Sequence, residues 1–226
     1  MDIHVLTTLT RWLVMGSVLA AGLSGLVRFC QLPLGLRYVA VLAGFDTAME
    51  LTTLVLIEVV QLKSNLFLGP LVAVGEVALL GLAYREVLQS ALFNRLMPWV
   101  VGLFSLYALV DALVGLGVVR YATGVQITAD LLQLGLAMLY FWKLLSELHI
   151  EHLRREPFFW ISTGLVVYVL GDLFITLVSN YLLAHYSHGL QLTVILVIRP
   201  LFVITLYWAY SLALWMRPQK SNSFSY

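Results

Sequence analysis

The chain has 226 residues, 61% of them hydrophobic and 11% charged, with a net charge of +1 and a mean hydropathy of +0.94. Soluble domains average about 45–50% apolar and about 25% charged residues, so this composition excludes a soluble globular domain and describes an all-α polytopic membrane protein. No basic run offers a nucleic-acid footprint, and the single cysteine, Cys30, excludes an internal disulfide.

A bilayer core of about 30 Å needs about 20 mostly apolar residues per helix. Seven segments meet that requirement, at about 4–27, 38–61, 66–90, 97–119, 124–148, 157–184 and 190–216. They predict one seven-helix transmembrane domain over 1–217 and a short tail over 218–226. The start, MDIHVLTTLT, lacks the positive charge of a secretory signal, and Arg11 interrupts its apolar run. The first segment is therefore expected to be a mature spanning helix. Pro33 falls in the first link, whereas Pro98 and Pro157 suit the first turns of the helices they are expected to open.

Lys and Arg are distributed unevenly over the links. Arg28, Arg37, Arg85, Arg95, Lys143, Arg154, Arg155, Arg217 and Lys220 fall on one side of the expected membrane, while the opposite side holds Lys63 and Arg120. By the positive-inside rule the N-terminus is expected outside and the C-terminus in the cytoplasm.

Inside the spans lie six carboxylates, Asp46, Glu50, Glu76, Asp111, Asp130 and Asp172, and two cations, Arg11 and Arg199. An ionisable group at the bilayer centre costs about 2.5–3.5 kcal/mol on insertion scales and normally faces a protein interior, where it is paired. In helix 2, Asp46 and Glu50 are i,i+4 neighbours and Thr53 continues their stripe. Helix 3 carries Glu76 and, two turns on, Tyr84; helix 4 aligns Tyr107, Asp111 and Gly115. Helix 5 offers Gln126, Asp130, Gln133 and Tyr140, and helix 6 aligns Gly164, Tyr168, Asp172, Thr176 and Ser179. In helix 7, Arg199 stands above Tyr207 and Tyr210, and Pro200 is expected to free the carbonyl of Leu196 in mid-helix.

One polar stripe per helix predicts a shared polar chamber. Its expected ligand- or proton-binding residues are Arg11, Glu50, Glu76, Asp111, Asp130, Tyr168, Asp172 and Arg199, with Asp46 deeper as an inner relay. At about 1.5 Å per residue, Arg11, Asp111, Asp130, Asp172 and Arg199 fall in the outer half, so the chamber is expected to open outward. Glu58 reads as an ordinary interface residue. Trp12, Trp99, Trp160 and Trp215 suit the aromatic belt. The bland reading of the same acids is interhelical hydrogen bonding, at about 0.6–2 kcal/mol each.

Beyond helix 5 the stretch WKLLSELHIEHLRRE carries the i,i+4 pairs Lys143–Glu147 and Glu151–Arg155. It predicts about two helical turns outside the lipid, with Glu147, Glu151, Arg154 and Arg155 as a docking place for a cytoplasmic signalling partner. His149 with His152, and His185 with His188, read as solvated faces, and no metal or particular cofactor is indicated. The sequence lacks HExxH and GxSxG and has no helix 7 lysine for a retinal Schiff base. An enzymatic role is not expected.

The pairs Arg11/Asp130, Asp46/Asp172 and Glu76/Arg199 lie 119, 126 and 123 positions apart, an arrangement suggestive of a three-plus-one-plus-three transporter, although the surrounding residues barely match. The stretch EPFFWISTGLVVYVLGDLFITLVSNYLL resembles a pattern in small uncharacterised seven-helix membrane proteins of Bacteroidota. In those proteins an FW pair is followed by Gly, Tyr and a closing Ser-Asn, positions matched by Phe159, Trp160, Gly164, Tyr168, Gly171, Ser179 and Asn180. The resemblance implies a bacterial inner-membrane protein, associated with a histidine kinase. Asp172 departs from the usual residue of that pattern.

Two functions follow from these residues. The first is a receptor-like sensor whose outward polar chamber binds protons or a small polar or cationic ligand and signals to a cytoplasmic partner. The second is a proton- or cation-coupled small-solute transporter. A continuous acidic route from Asp172 through Glu76 and Glu50 to Asp46 favours transport, and an isolated outer cluster favours sensing. The lipid bilayer is the one partner that composition requires, and homo-oligomerisation stays open.

Overall fold

The computed structural model describes residues 3–61, 68–114, 123–147, 155–185 and 198–216, with side chains described from Thr8, from Gly124 to Ser146, and up to Thr176 in those segments that they bound. Among the described residues there are seven α-helices: α1 Ile3–Arg28, α2 Leu34–Leu54, α3 Leu68–Leu88, α4 Ala91–Val114, α5 Thr123–Glu147, α6 Pro157–His185 and α7 Arg199–Trp215. Five are long and apolar enough to cross a membrane, over Thr8–Gln31, Leu34–Val59, Ala91–Val114, Gly124–Ser146 and Pro157–Thr176. The protein is thus an all-helical integral membrane protein. Its lipid-facing surface is built of side chains such as Leu26, Val27, Leu103, Leu113, Trp142, Phe174 and Trp208.

Six helices close a ring. Neighbours in contact run α1–α2, α2–α3, α3–α5, α5–α6, α6–α7 and α7–α1, and α2 also touches α7 on the inner side of α1. Helix α4 stands outside, against α3 and more lightly α5. Only Met97, Phe104 and Ala108 of α4 are buried. Its remaining surface is mostly apolar, Asn94, Arg95, Ser105 and Asp111 apart, as expected of a helix solvated mainly by lipid.

Lipid removes the hydrophobic drive between helices, so close packing of small residues has to hold the ring. On α6, a Cβ added to Gly164 would lie 2.5 Å from Ala209, and one added to Gly171 would lie 2.6 Å from the Phe202 ring. Two turns apart on one face, these glycines let α7 approach. The α1–α2 contact is made the same way, with Gly22 against Thr47 and Gly25 against Ala40.

The cations expected on the cytoplasmic side have a structural task. Arg28 donates to the carbonyls of Leu214 and Trp215 at the end of α7. Lys143 Nζ donates to Val87 and Leu88 at the end of α3, at 3.0 and 3.1 Å. Arg37 Nε donates to Leu32 at 2.8 Å. Cations at helix C-termini satisfy orphan carbonyls and the helix dipole together. The same arrangement shows α1, α3, α5 and α7 ending on one side.

Three boundaries differ from expectation, and the first is the start of α2 at Leu34 instead of 38, directly after Pro33 as its N-cap. Helix α4 begins at Ala91 instead of 97, because the chain turns into helix at Ser90, whose carbonyl accepts from Asn94 N at 2.9 Å. Pro98 is consequently inside α4, where it deprives the Asn94 carbonyl of its helical donor. Helix α2 gives way to a π-turn over Val55–Val59, closed by Val60 N on Val55 O at 3.1 Å. Position 196 and the extension beyond Glu147, including Glu151 and Arg154, lie outside the described residues. Arg155 is exposed.

Candidate functional site

The ring encloses a polar centre to which four helices bring carboxylates. Asp46 on α2 is 7% exposed, and Asp130 on α5 and Asp172 on α6 are each 0% exposed. Glu76 on α3 is half-buried. Alongside them α5 supplies Gln126 and Gln133, and α7 supplies Arg199, Tyr207 and Tyr210. These polar side chains share the interior because each helix carries one polar stripe and turns its apolar surface to its neighbours or to lipid.

The strongest contact is a fork. Arg199 Nε lies 2.6 Å from Asp172 Oδ1, and Nη2 lies 3.2 Å from Oδ2. A bidentate guanidinium–carboxylate pair fixes both geometry and charge. Next to it, Gln133 Nε2 donates to Glu76 Oε2 at 2.9 Å, and Gln126 Nε2 donates to Asp130 Oδ1 at 3.2 Å. Asp130 faces both Asp172 and Glu76. Glu76 in turn faces Asp46, which the Tyr207 hydroxyl approaches. Tyr168 lies among Glu76, Asp172, Asp130 and Arg199.

From Asp46 the polar line continues along α7. Tyr207 and Tyr210 pack edge to face at 5.9 Å, and Tyr210 faces Tyr84. Tyr84 exchanges a hydrogen bond with Ser162 at 2.7 Å and packs 6.3 Å from Tyr140. Tyr140 faces Glu156, just before the start of α6. Ser162 was not singled out by the sequence. A serine followed by Thr163 and Gly164 reads as helix packing, and its partner stands on a helix far away in the chain.

Two buried oxygens in this centre lack a hydrogen-bond partner, Asp46 Oδ1 and Asp130 Oδ2. Buried polar atoms are normally satisfied, so each marks a place for a proton, a water or a ligand. Four carboxylates also share a single guanidinium there among the described residues. No group of three His, Cys, Asp or Glu side chains among those residues could hold a metal ion. Glu76, Asp130 and Asp172 neighbour one another, and Asp46 neighbours Glu76.

The structure brings Glu76, Asp130, Tyr168, Asp172 and Arg199 together, with Asp46 beside Glu76. Other expected members lie elsewhere. Arg11 is on the outer face of α1, where Nη2 meets Glu58 Oε1 at 3.3 Å, with side chains 51% and 63% exposed. Glu50 is half-buried one turn beyond Asp46, and its charged neighbour is Arg11. Asp111 is half-buried on α4, the helix outside the ring. Helical spacing tells which residues share a stripe but leaves open which way the stripe faces, and a peripheral α4 is invisible to it.

No protein-family model, curated protein or solved structure matches this chain.

Proposed function

We propose that the protein is a proton-coupled transporter of a small polar or cationic solute, with seven spans, its N-terminus outside and its C-terminus in the cytoplasm of a bacterial inner membrane. The observation that carries this reading is the gathering of Asp46, Glu76, Asp130 and Asp172, three of them buried and Glu76 half-buried, in one polar centre beside Arg199. The acidic route expected through Glu50 is not formed, because Glu50 stands beside Arg11; Glu76 is the acid that neighbours Asp46 instead. Intramembrane acids of this kind are the usual material of proton relays. The position of α4 outside a ring of α1–α3 and α5–α7 adds support, since a three-plus-one-plus-three transporter needs its middle helix only as a connector. For the orientation, the support is the gathering of Arg28, Arg37 and Lys143 at one end of the bundle.

The test is pH-driven flux in proteoliposomes, comparing the intact protein with Asp172→Asn, Glu76→Gln and Asp46→Asn. Flux that falls at least tenfold in all three supports transport, and absence of flux from intact, folded protein rejects it.

A receptor-like sensor is the second reading, favoured by the Arg199–Asp172 fork at the first turn of α7 beside Pro200. A ligand that competes for Arg199 would release Asp172 and bias two arrangements of α6 and α7, to be read by a cytoplasmic partner. That reading predicts ligand-dependent stability with no flux.

A further inference from the structure

Away from the central acids, a second site sits on the lipid-facing surface between α1 and α2. A cleft of about 490 Å³ is lined by Thr8, Arg11, Trp12, Met15, Leu54, Val55, Glu58 and Val59. Its floor is apolar, and Arg11 and Glu58 meet at 3.3 Å beside it. The π-turn Val55–Val59 forms one wall. Such turns are rare and frequently accompany functional sites.

The charges at the cleft are incompletely used. Arg11 has a guanidinium of five N–H donors, and the contact drawn from it is the single Nη2 bond to one oxygen of Glu58. Both side chains are more than half exposed. In hydrocarbon, each unsatisfied polar group costs several kcal/mol, so this pair belongs at headgroup level. Helix α2 with its π-turn ends at Val59, so Glu58 stands about 1.5 Å inside that end, and Arg11, about 12 Å after the start of α1 at Ile3, reaches the same level through its long side chain. Trp12, 66% exposed, stands at the same level as an interface aromatic.

We propose that this cleft binds one zwitterionic aminophospholipid from the leaflet on the side where α1 begins. The lipid phosphate accepts from the free donors of Arg11, for which a planar guanidinium is the matching partner. The primary ammonium donates to Glu58, and an acyl chain lies along Met15, Leu54, Val55 and Val59. A lone anion would meet the Glu58 carboxylate at close range, with the half-buried Glu50 also near Arg11, and a lone cation would meet Arg11. A headgroup carrying both charges a few ångströms apart complements the pair. This inference does not depend on the transport reading.

The test uses delipidated full-length protein reconstituted with phosphatidylethanolamine, phosphatidylcholine or phosphatidylglycerol. Native mass spectrometry counts the retained lipids. At least tenfold preferential retention of one phosphatidylethanolamine is expected, because the choline headgroup has no N–H to offer Glu58 and the glycerol headgroup has no cation. Glu58→Gln should abolish the preference over phosphatidylcholine, Arg11→Gln should lose retention altogether, and Arg11→Lys should restore part of it. Thermal unfolding of each variant shows whether it remains folded. Should Arg11→Gln fail to fold, the Arg11→Lys and Glu58→Gln comparisons decide the matter. Equal retention of the three lipids, or a preference unchanged in Glu58→Gln, overturns the proposal. So does displacement of the lipid by inorganic phosphate at low millimolar concentration, which would identify an anion site instead.

Discussion

Arg199 holds Asp172 through two nitrogens, yet the partners are unequally sheltered: the Arg199 side chain is 28% exposed and that of Asp172 is 0% exposed. The inequality sets which half of the pair can stand alone. With Asp172 removed, Arg199 still has access to the surface. With Arg199 removed, a carboxylate is left wholly inside the bundle without its cation. Breaking a buried pair from one side costs about 3–5 kcal/mol. Arg199→Gln is expected at the upper end of that range and Asp172→Asn at the lower, measured as unfolding free energies in detergent. The double variant should recover part of the loss, since it strands no charge. Equal effects of the two single variants would contradict the asymmetry.

The α6–α7 seam depends on absent side chains. Gly171→Ala places a methyl group 2.6 Å from the Phe202 ring. Overpacking of this kind costs about 1–3 kcal/mol, and Phe202→Leu in the same protein should relieve it. Gly135 on α5 is a control, because a Cβ there has nothing within 4 Å. Gly135→Ala should be neutral or stabilise by about 0.5–1 kcal/mol through the backbone entropy of glycine. Both changes are read from the same thermal unfolding curves.

Much of the fold was legible in the sequence for a simple reason. Apolar runs long enough to cross lipid are hard to mistake, and α3, α5 and α6 lie within two residues of their expected bounds at both ends. The stripe from Tyr168 to Asp172 was legible because i and i+4 must share a face. The whereabouts of Arg11 were not. A charge inside an apolar run reads the same whether it looks inward or toward the headgroups, and only the antiparallel register of α1 and α2 brings it to Glu58. The capping roles of Arg28 and Lys143 were equally hidden. A count of positive charges predicts a side of the membrane, whereas their carbonyl partners lie on helices more than fifty residues away in the chain.

Lys143 offers a separate test of those caps. Its ammonium serves the carbonyls of Val87 and Leu88, and hydrogen bonds from charged groups contribute about 1.5–3 kcal/mol. Lys143→Met should cost about that much. It should also speed amide hydrogen exchange in the last turn of α3, leaving the ends of α1 and α7 unchanged. Lys143→Arg, which keeps the charge, should retain most of the protection. Uniform loss of protection across the bundle would mean that Lys143 acts through general packing.

Tyr84 and Ser162 allow structure and relay to be separated. Both are completely buried, at 0% exposure, and they share one hydrogen bond of 2.7 Å. Removing one partner leaves the other unsatisfied, at about 1–3 kcal/mol, whereas removing both can be nearly neutral. Ser162→Ala and Tyr84→Phe should therefore each destabilise, and the double variant should be closer to the parent than either. Flux supplies the second axis. Where Tyr84 passes protons between Tyr210 and Tyr140, Tyr84→Phe loses flux, and adding Ser162→Ala restores stability without restoring transport, because the phenolic O–H is still missing. Where the pair only packs, flux follows stability and returns in the double variant. The two outcomes differ in sign for a single protein, so one proteoliposome measurement on Tyr84→Phe/Ser162→Ala decides whether the line of tyrosines continues the acidic route or ends it at Asp46.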